Sequence, residues 1–162
     1  MPGETLSVQL ADILAARSLL DDVIVETPLE HSRALGRATG ATVHLKCENL
    51  QRAGSFKVRG AYVRMARLSA EEKERGVVAA SAGNHAQGVA LAAKKLGIAA
   101  KIFMPRGVAL PKLAATRDHG AEVLLHGSNV DEALAEAQRY ATETGAVFIH
   151  PFNNTDVVAG QG

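Results

Sequence analysis

The sequence predicts an α/β fold, a parallel sheet with flanking helices, and two observations carry the prediction. From Gly76 onward four short apolar runs, "GVVAAS", "IAAKIFMP", "AEVLLHG" and "AVFIHP", alternate with three stretches of helical periodicity. Each helical stretch stops one to three residues before the next strand, the compact connection of right-handed βαβ crossovers. Neighbouring parallel strands need such crossovers, whereas a hairpin would give an antiparallel pair.

In chain order, Ser7 is placed to cap a first helix running to about Leu20, with Leu10, Ile13, Leu14 and Arg17 at helical spacing. "VETPLEHS" reads as extended around Pro28, and Ser32 to Ala38 as a short helix closed near Gly40. "ATVHLKCEN" alternates Val43, Leu45 and Cys47 with polar neighbours, a strand pattern. "SAEEKERG" reads as a short charged helix with a capping box and a terminal glycine. Asn84 to Leu96 follows as a helix with Ala86, Val89, Ala90, Ala93 and Leu96 on one face. Leu110 to Asp118 is the next. Ser128 is placed to cap the last, to about Thr144, with Val130, Ala133, Leu134, Ala137 and Ala141 inward.

Composition narrows the function classes. A chain of 162 residues suffices for one domain, and 47% apolar with 22% charged residues is ordinary for a globular protein. Aromatics are only 4% and tryptophan is absent, so Ala, Val and Leu must fill the core. The net charge is +1 with no basic block, which argues against nucleic acid or an anionic membrane as partner. The one cysteine, Cys47, rules out an internal disulfide and suits a reducing compartment. The N-terminus carries acids within its apolar stretch, unlike a signal peptide, and no run approaches the roughly 20 apolar residues of a membrane span. The expected location is cytoplasmic.

Chemistry has two candidate places. The turn "SAGNHAQG" lies at the carboxyl end of a strand and opens a helix, where open α/β sheets bind ligands. Its free N–H groups favour an anion, Gly83 allows close approach, and Ser81, Asn84 and His85 add polar side chains. Equally, Ser81 or Asn84 could simply cap the helix, with His85 on the surface. The turn is neither G-x-G-x-x-G nor a phosphate loop, and no G-x-S-x-G elbow is present. The six histidines show no H-x-x-x-H pair, so no metal is expected; His44, His119 and His126 read as structural, and Cys47 as a small buried strand residue. Lys57 is the second place. In "AGSFKVRGA" it sits between Phe56 and Val58, at what reads as the first turn of a helix. Burial and the helix dipole both disfavour an ammonium there. A lysine that condenses with an aldehyde needs that environment; the alternative is a stem that packs while its head reaches water.

"KCENLQRAGSFKVRGA" followed by "AASAGNHAQG", "MPRGVALPKLAATRDHGAEVLLHG" and "FIHPFNNTDVVAGQG" resembles the threonine dehydratases. These are pyridoxal-phosphate enzymes of the tryptophan synthase β-like fold, and the resemblance runs from Thr27 onward. It implies that Lys57 holds pyridoxal 5′-phosphate as a Schiff base, that Phe56 packs beside the ring, and that Asn84 bonds the cofactor's 3′ oxygen. It also implies that the backbone of Ser81, Ala82, Gly83, Asn84 and His85 receives the substrate carboxylate. The substrates implied are L-threonine, giving 2-oxobutanoate and ammonia, and L-serine, giving pyruvate and ammonia. Serine racemases of the same family carry a second serine where this chain has Ala82, and a polar amide where it has Phe152, so the resemblance favours elimination. A β-replacement enzyme of that fold, or a module that binds amino acids without catalysis, remains the alternative. Family members are about twice as long. The resemblance therefore implies a fragment: residues 1–50 from the larger domain, 51–150 the smaller domain, and 151–162 the return into the larger. It implies a parent that is a homo-oligomer, and a 162-residue piece that is poorly active without the remaining half.

Overall fold

The computed structural model describes residues 7–162. Its elements are α1 (Leu10–Leu20), β1 (Leu29–His31), α2 (Arg33–Thr39), β2 (His44–Lys46), a 3-10 turn (Glu48–Leu50), α3 (Lys57–Ala66), α4 (Ala70–Arg75) and β3 (Val77–Ala80). They continue as α5 (Asn84–Leu96), β4 (Ala100–Met104), α6 (Leu110–Asp118), β5 (Glu122–Leu125), α7 (Val130–Thr144), β6 (Val147–Phe148) and α8 (Thr155–Gln161).

The main sheet has the order β5–β4–β3–β6, with every pair parallel. β3 lies inside it, and all four of its residues are buried. Side chains alternate between the two faces, as the pleat requires. Val77, Ala79, Ile102 and Met104 pack against Ala61 and Met65 of α3 and Ala86, Val89 and Ala90 of α5. Val78, Ala80 and Phe103 pack on the other face against Ala133 and Ala137 of α7. Small alanines on the helices make up for the shortage of aromatics and let helix and sheet approach closely.

A separate apolar cluster joins Ala16 and Leu20 of α1 to Val58 and Val63 of α3 and Ala159 of α8. Here the structure corrects the sequence reading. The buried face of α1 is Ala16 and Leu20, while Leu10 and Leu14 are 70% and 53% exposed. The reason is the neighbour. α8, absent from the sequence reading, follows Asn154, and Gly60 of α3 lies against it. A Cβ at Gly60 would stand 2.6 Å from the Val157 carbonyl oxygen, and one at Gly160 would stand 2.9 Å from Gly60 Cα. Only glycine lets these two helices meet at that distance.

The caps of α1 and α7 also differ from expectation. α1 starts after Gln9, whose N–H donates to the Asp12 carboxylate at 2.8 Å, while Ser7 only accepts from the Gln9 amide. Asn129 rather than Ser128 caps α7, because its Oδ1 lies 3.0 Å from the Glu132 N–H. Cys47 is not in a strand. It follows β2 at the head of the 3-10 turn and is half-buried. β1 and β2 form a small antiparallel ribbon with Leu29 and Leu45 exposed.

A polar network ties this N-terminal part to α3. Arg59 donates twice to Glu48, at 2.7 and 2.8 Å, and Thr27 Oγ1 donates to the same carboxylate at 2.6 Å. Lys46 Nζ donates to the Thr27 carbonyl at 2.7 Å. Among the described residues, no helix is long and apolar enough to cross a membrane, and no three His, Cys, Asp or Glu side chains gather as a metal centre would need.

Candidate active site

Lys57 is the first residue of α3, one turn before the buried Gly60 and Ala61 that press this helix into the core. Its stem is therefore held inward while its head lies at the helix end. The side chain is half-buried, Nζ donates to the Pro151 carbonyl at 2.8 Å, and the amine stands 5.0 Å from the centroid of the Phe56 ring. Loss of hydration holds its pKa below the ordinary lysine value of 10.5. Lys57 does not snorkel away from the fold. Its head is turned onto a carbonyl from a segment 94 residues away in sequence.

The turn that opens α5 lies beside it. α5 crosses α3 so closely that Gly88 faces the backbone of Lys57 and Val58, which places the start of α5 next to the start of α3. Within the turn, the Ser81 N–H donates to the Phe103 carbonyl at 3.1 Å, and the Ser81 hydroxyl accepts from the Gly83 N–H at 3.1 Å. None of the hydrogen bonds among the described residues uses the N–H of Ala82, Asn84 or His85. Three donors at the positive end of a 13-residue helix are therefore free for an anion. Asn84 is exposed, and its amide bonds no other described residue.

His85 is not on the surface. It is 5% exposed, with Nε2 2.9 Å from the Ile149 carbonyl. A carbonyl only accepts, so Nε2 carries the proton and the buried Nδ1, which has no partner, keeps a bare lone pair. Burial, reinforced by the neighbouring charges of Lys57 and His150, pushes the ring's pKa down to about 4 even though the Ile149 bond opposes the shift. A neutral imidazole is thus built into the site.

Two further side chains stand here that the sequence reading did not single out. His150 is half-buried; its Nδ1 accepts the N–H groups of Phe152 at 3.2 Å and Asn153 at 2.7 Å, and burial with the Lys57 charge keeps its pKa low. Lys112, from the first turn of α6, hangs over the α5 turn: a Cβ at Gly83 would lie 3.6 Å from its Nζ. The "HP" pair and the "LPK" helix start were visible in the sequence, but nothing local linked either to Lys57. Separately, a groove of about 710 Å³ between α1 and α8 is bordered by Phe56, Arg59 and Gln161, and neither Lys57 nor the 81–85 turn lines it. Phe56, 41% exposed, is therefore shared between the amine and the groove.

The arrangement is an amine whose pKa is lowered by partial burial, near N–H donors without partners and a neutral imidazole. It suits capture of a carbonyl compound that also carries an anion.

Comparison with known proteins points the same way. The family model described as pyridoxal-phosphate dependent enzyme matches residues 20–162. An L-threonine ammonia-lyase of Thermotoga maritima is 55% identical over 155 residues, covering 96% of this chain and 39% of that protein. The catabolic L-threonine dehydratase TdcB of Escherichia coli K12 is 43% identical over 157 residues, covering 97% of this chain and 48% of its own. Among solved structures, the processed threonine deaminase isoform 2 of Solanum lycopersicum matches with a TM-score of 0.85 and 44% identity, over 93% of this chain and 41% of that one. Maize serine racemase matches with a TM-score of 0.87 and 34% identity, over 94% and 46%. The chain thus spans less than half the length of these relatives.

Proposed function

Because the chain belongs to the family of pyridoxal-phosphate dependent enzymes, we propose that it serves the dehydration and deamination of L-threonine to 2-oxobutanoate and ammonia, and of L-serine to pyruvate and ammonia. The names of the relatives at 55% and 43% identity support the reaction class. The observation that carries the reading is the half-buried amine of Lys57 beside three unengaged N–H groups.

The residues present fit the aldehyde end of the cofactor. An aldehyde requires an amine that spends part of its time uncharged, and desolvation shifts Lys57 in that direction. Bound pyridoxal 5′-phosphate supplies an electron-withdrawing ring that stabilises negative charge at the substrate Cα. Lys57 would hold the cofactor covalently through Nζ and, once the substrate's amino group has taken its place, would be free to take the Cα proton at that same atom. Phe56 would pack beside the ring, and Asn84 would offer its amide to the 3′ oxygen. The backbone of Ser81, Ala82, Gly83, Asn84 and His85 orients the substrate carboxylate, and Lys112 adds positive charge above it. His85, buried and neutral, adds no competing charge to that pocket.

Elimination is favoured over racemisation because Ala82 places a methyl group, rather than a proton acceptor, in the turn. We assign residues 1–50 and 151–162 to a larger domain and 51–150 to a smaller one, in a cytoplasmic homo-oligomer. Release of ammonia and 2-oxo acid from L-threonine by the cofactor-loaded protein at its relatives' full length, with chiral analysis of serine alongside, tests the reaction. D-serine formed without 2-oxo acid would overturn it.

A further inference from the structure

Hydrogen bonds on the two sides of one turn connect His150 with Lys57. Pro151 has no N–H, so the first backbone donors the His150 ring can reach are those of Phe152 and Asn153, and Nδ1 accepts both, at 3.2 and 2.7 Å. This folds residues 150–153 into a tight turn. The Phe152 ring stands edge-on to the imidazole, with centroids 4.6 Å apart, and packs the turn from outside. The carbonyl left at its apex, that of Pro151, accepts from Lys57 Nζ at 2.8 Å. The next residue but two repeats the device with a different side chain. Asn154 Oδ1 accepts from Asp156 and Val157, at 3.0 and 3.3 Å, in the same pattern of residues two and three ahead. An asparagine oxygen and a histidine Nδ1 both hang on Cγ and can make the same turn.

We propose that His150 is a positioning residue: as a neutral ring it shapes the 150–153 turn so that the Pro151 carbonyl fixes the direction of the Lys57 amine. The inference rests on Lys57 being the working amine, as proposed above. A carbonyl is suited to this task, since it anchors one N–H while leaving the nitrogen lone pair unengaged. Among the described residues, the titratable or charged groups around Lys57 include His85 and His150, whose pKa values burial lowers, and Lys112 over the neighbouring 81–85 turn.

The test is the pH profile of Lys57 acylation by acetic anhydride, read by peptide mass spectrometry on the full chain without cofactor. In His150→Leu the turn loses its acceptor and the amine moves into water. The midpoint should then rise by about one pH unit, a roughly tenfold loss of reactivity at fixed pH below it. His150→Asn should restore the wild-type profile, because its Oδ1 accepts the same two N–H groups. If His150→Leu does not fold, His150→Gln replaces it, since its amide lies one methylene too far out. A Leu or Gln profile superimposed on wild type, or an Asn profile displaced as far as theirs, overturns the proposal. The measurement needs neither cofactor nor substrate, so failure of the functional reading would show separately, as a wild-type protein that binds no pyridoxal phosphate.

Discussion

The backbones of Gly88 and Lys57 are in contact: a Cβ at Gly88 would stand 2.9 Å from the Lys57 carbonyl carbon and 3.0 Å from its oxygen. Two helices that carry the two halves of the site are thereby held together at the very turns that matter. In an exposed helix, alanine in place of glycine gains up to about 1 kcal/mol. At position 88 the added methyl meets backbone, which cannot swing aside. Gly88→Ala is expected to lower stability by about 1–3 kcal/mol, measured by urea unfolding, and to weaken pyridoxal-phosphate binding. An unchanged unfolding midpoint would mean that the two helices have room to separate.

The Glu48–Arg59 pair should matter at acid pH. Arg59, with help from Thr27, holds the Glu48 carboxyl below its ordinary value of 4.5 despite partial burial. A carboxylate depressed in the folded state contributes stability above its unfolded pKa, and that contribution is lost as pH falls through the lower, folded value. Both side chains are about one-sixth exposed, at 17% and 16%, so the pair sits between surface and core. Glu48→Gln is expected to cost about 1–2 kcal/mol at pH 7 and to flatten the stability curve below about pH 4.5. Unfolding midpoints at pH 7 and pH 3.5 check both.

His85 should act in a higher pH window with the same sign, because its folded-state pKa is also depressed. Its ring is held at about 4 in the folded protein against 6.5 when free. The unfolded chain therefore takes up a proton first as pH falls, and stability declines from about pH 6.5 down to about pH 4. Between pH 7 and pH 5 the loss amounts to about 2 kcal/mol. His85→Gln should remove most of that slope even if it lowers the stability at pH 7. A variant whose slope equals that of the wild type would show that another group titrates in this range.

Asn154 joins the site to α8. Its Oδ1 satisfies two N–H groups of that helix. α8 also carries the Gly160 that meets Gly60. Asn154→Ala is expected to cost about 1 kcal/mol. Hydrogen exchange should locate the loss as faster exchange in α8, with β3 and β4 unaffected.

The parallel unit from Gly76 onward was legible because each of its signals is local. Apolar runs gave β3 and β4, alanine periodicity gave α5, and the limits of α5 and α6 were readable from the flanking glycines. The α1 face was not legible. Leu10 and Leu14 are stronger hydrophobes than Ala16, but which side is buried depends on Gly60 and Gly160 drawing α8 against α3, a contact about 100 residues apart. At the site, Lys57 and the 81–85 turn could be picked out by residue type. The burial of His85 could not, because it comes from Ile149 on the far side of α7 in sequence. The same holds for the Pro151 carbonyl that receives Lys57.

The central claim is that Lys57 carries the cofactor, and borohydride reduction of the pyridoxal-phosphate-loaded protein tests it most directly. Peptide mass spectrometry should then find the pyridoxyl group on Lys57, and the visible absorbance of the lysine-bound cofactor should vanish in Lys57→Ala. A pyridoxyl group on Lys112 or any other lysine, with Lys57 unmodified, would contradict the account.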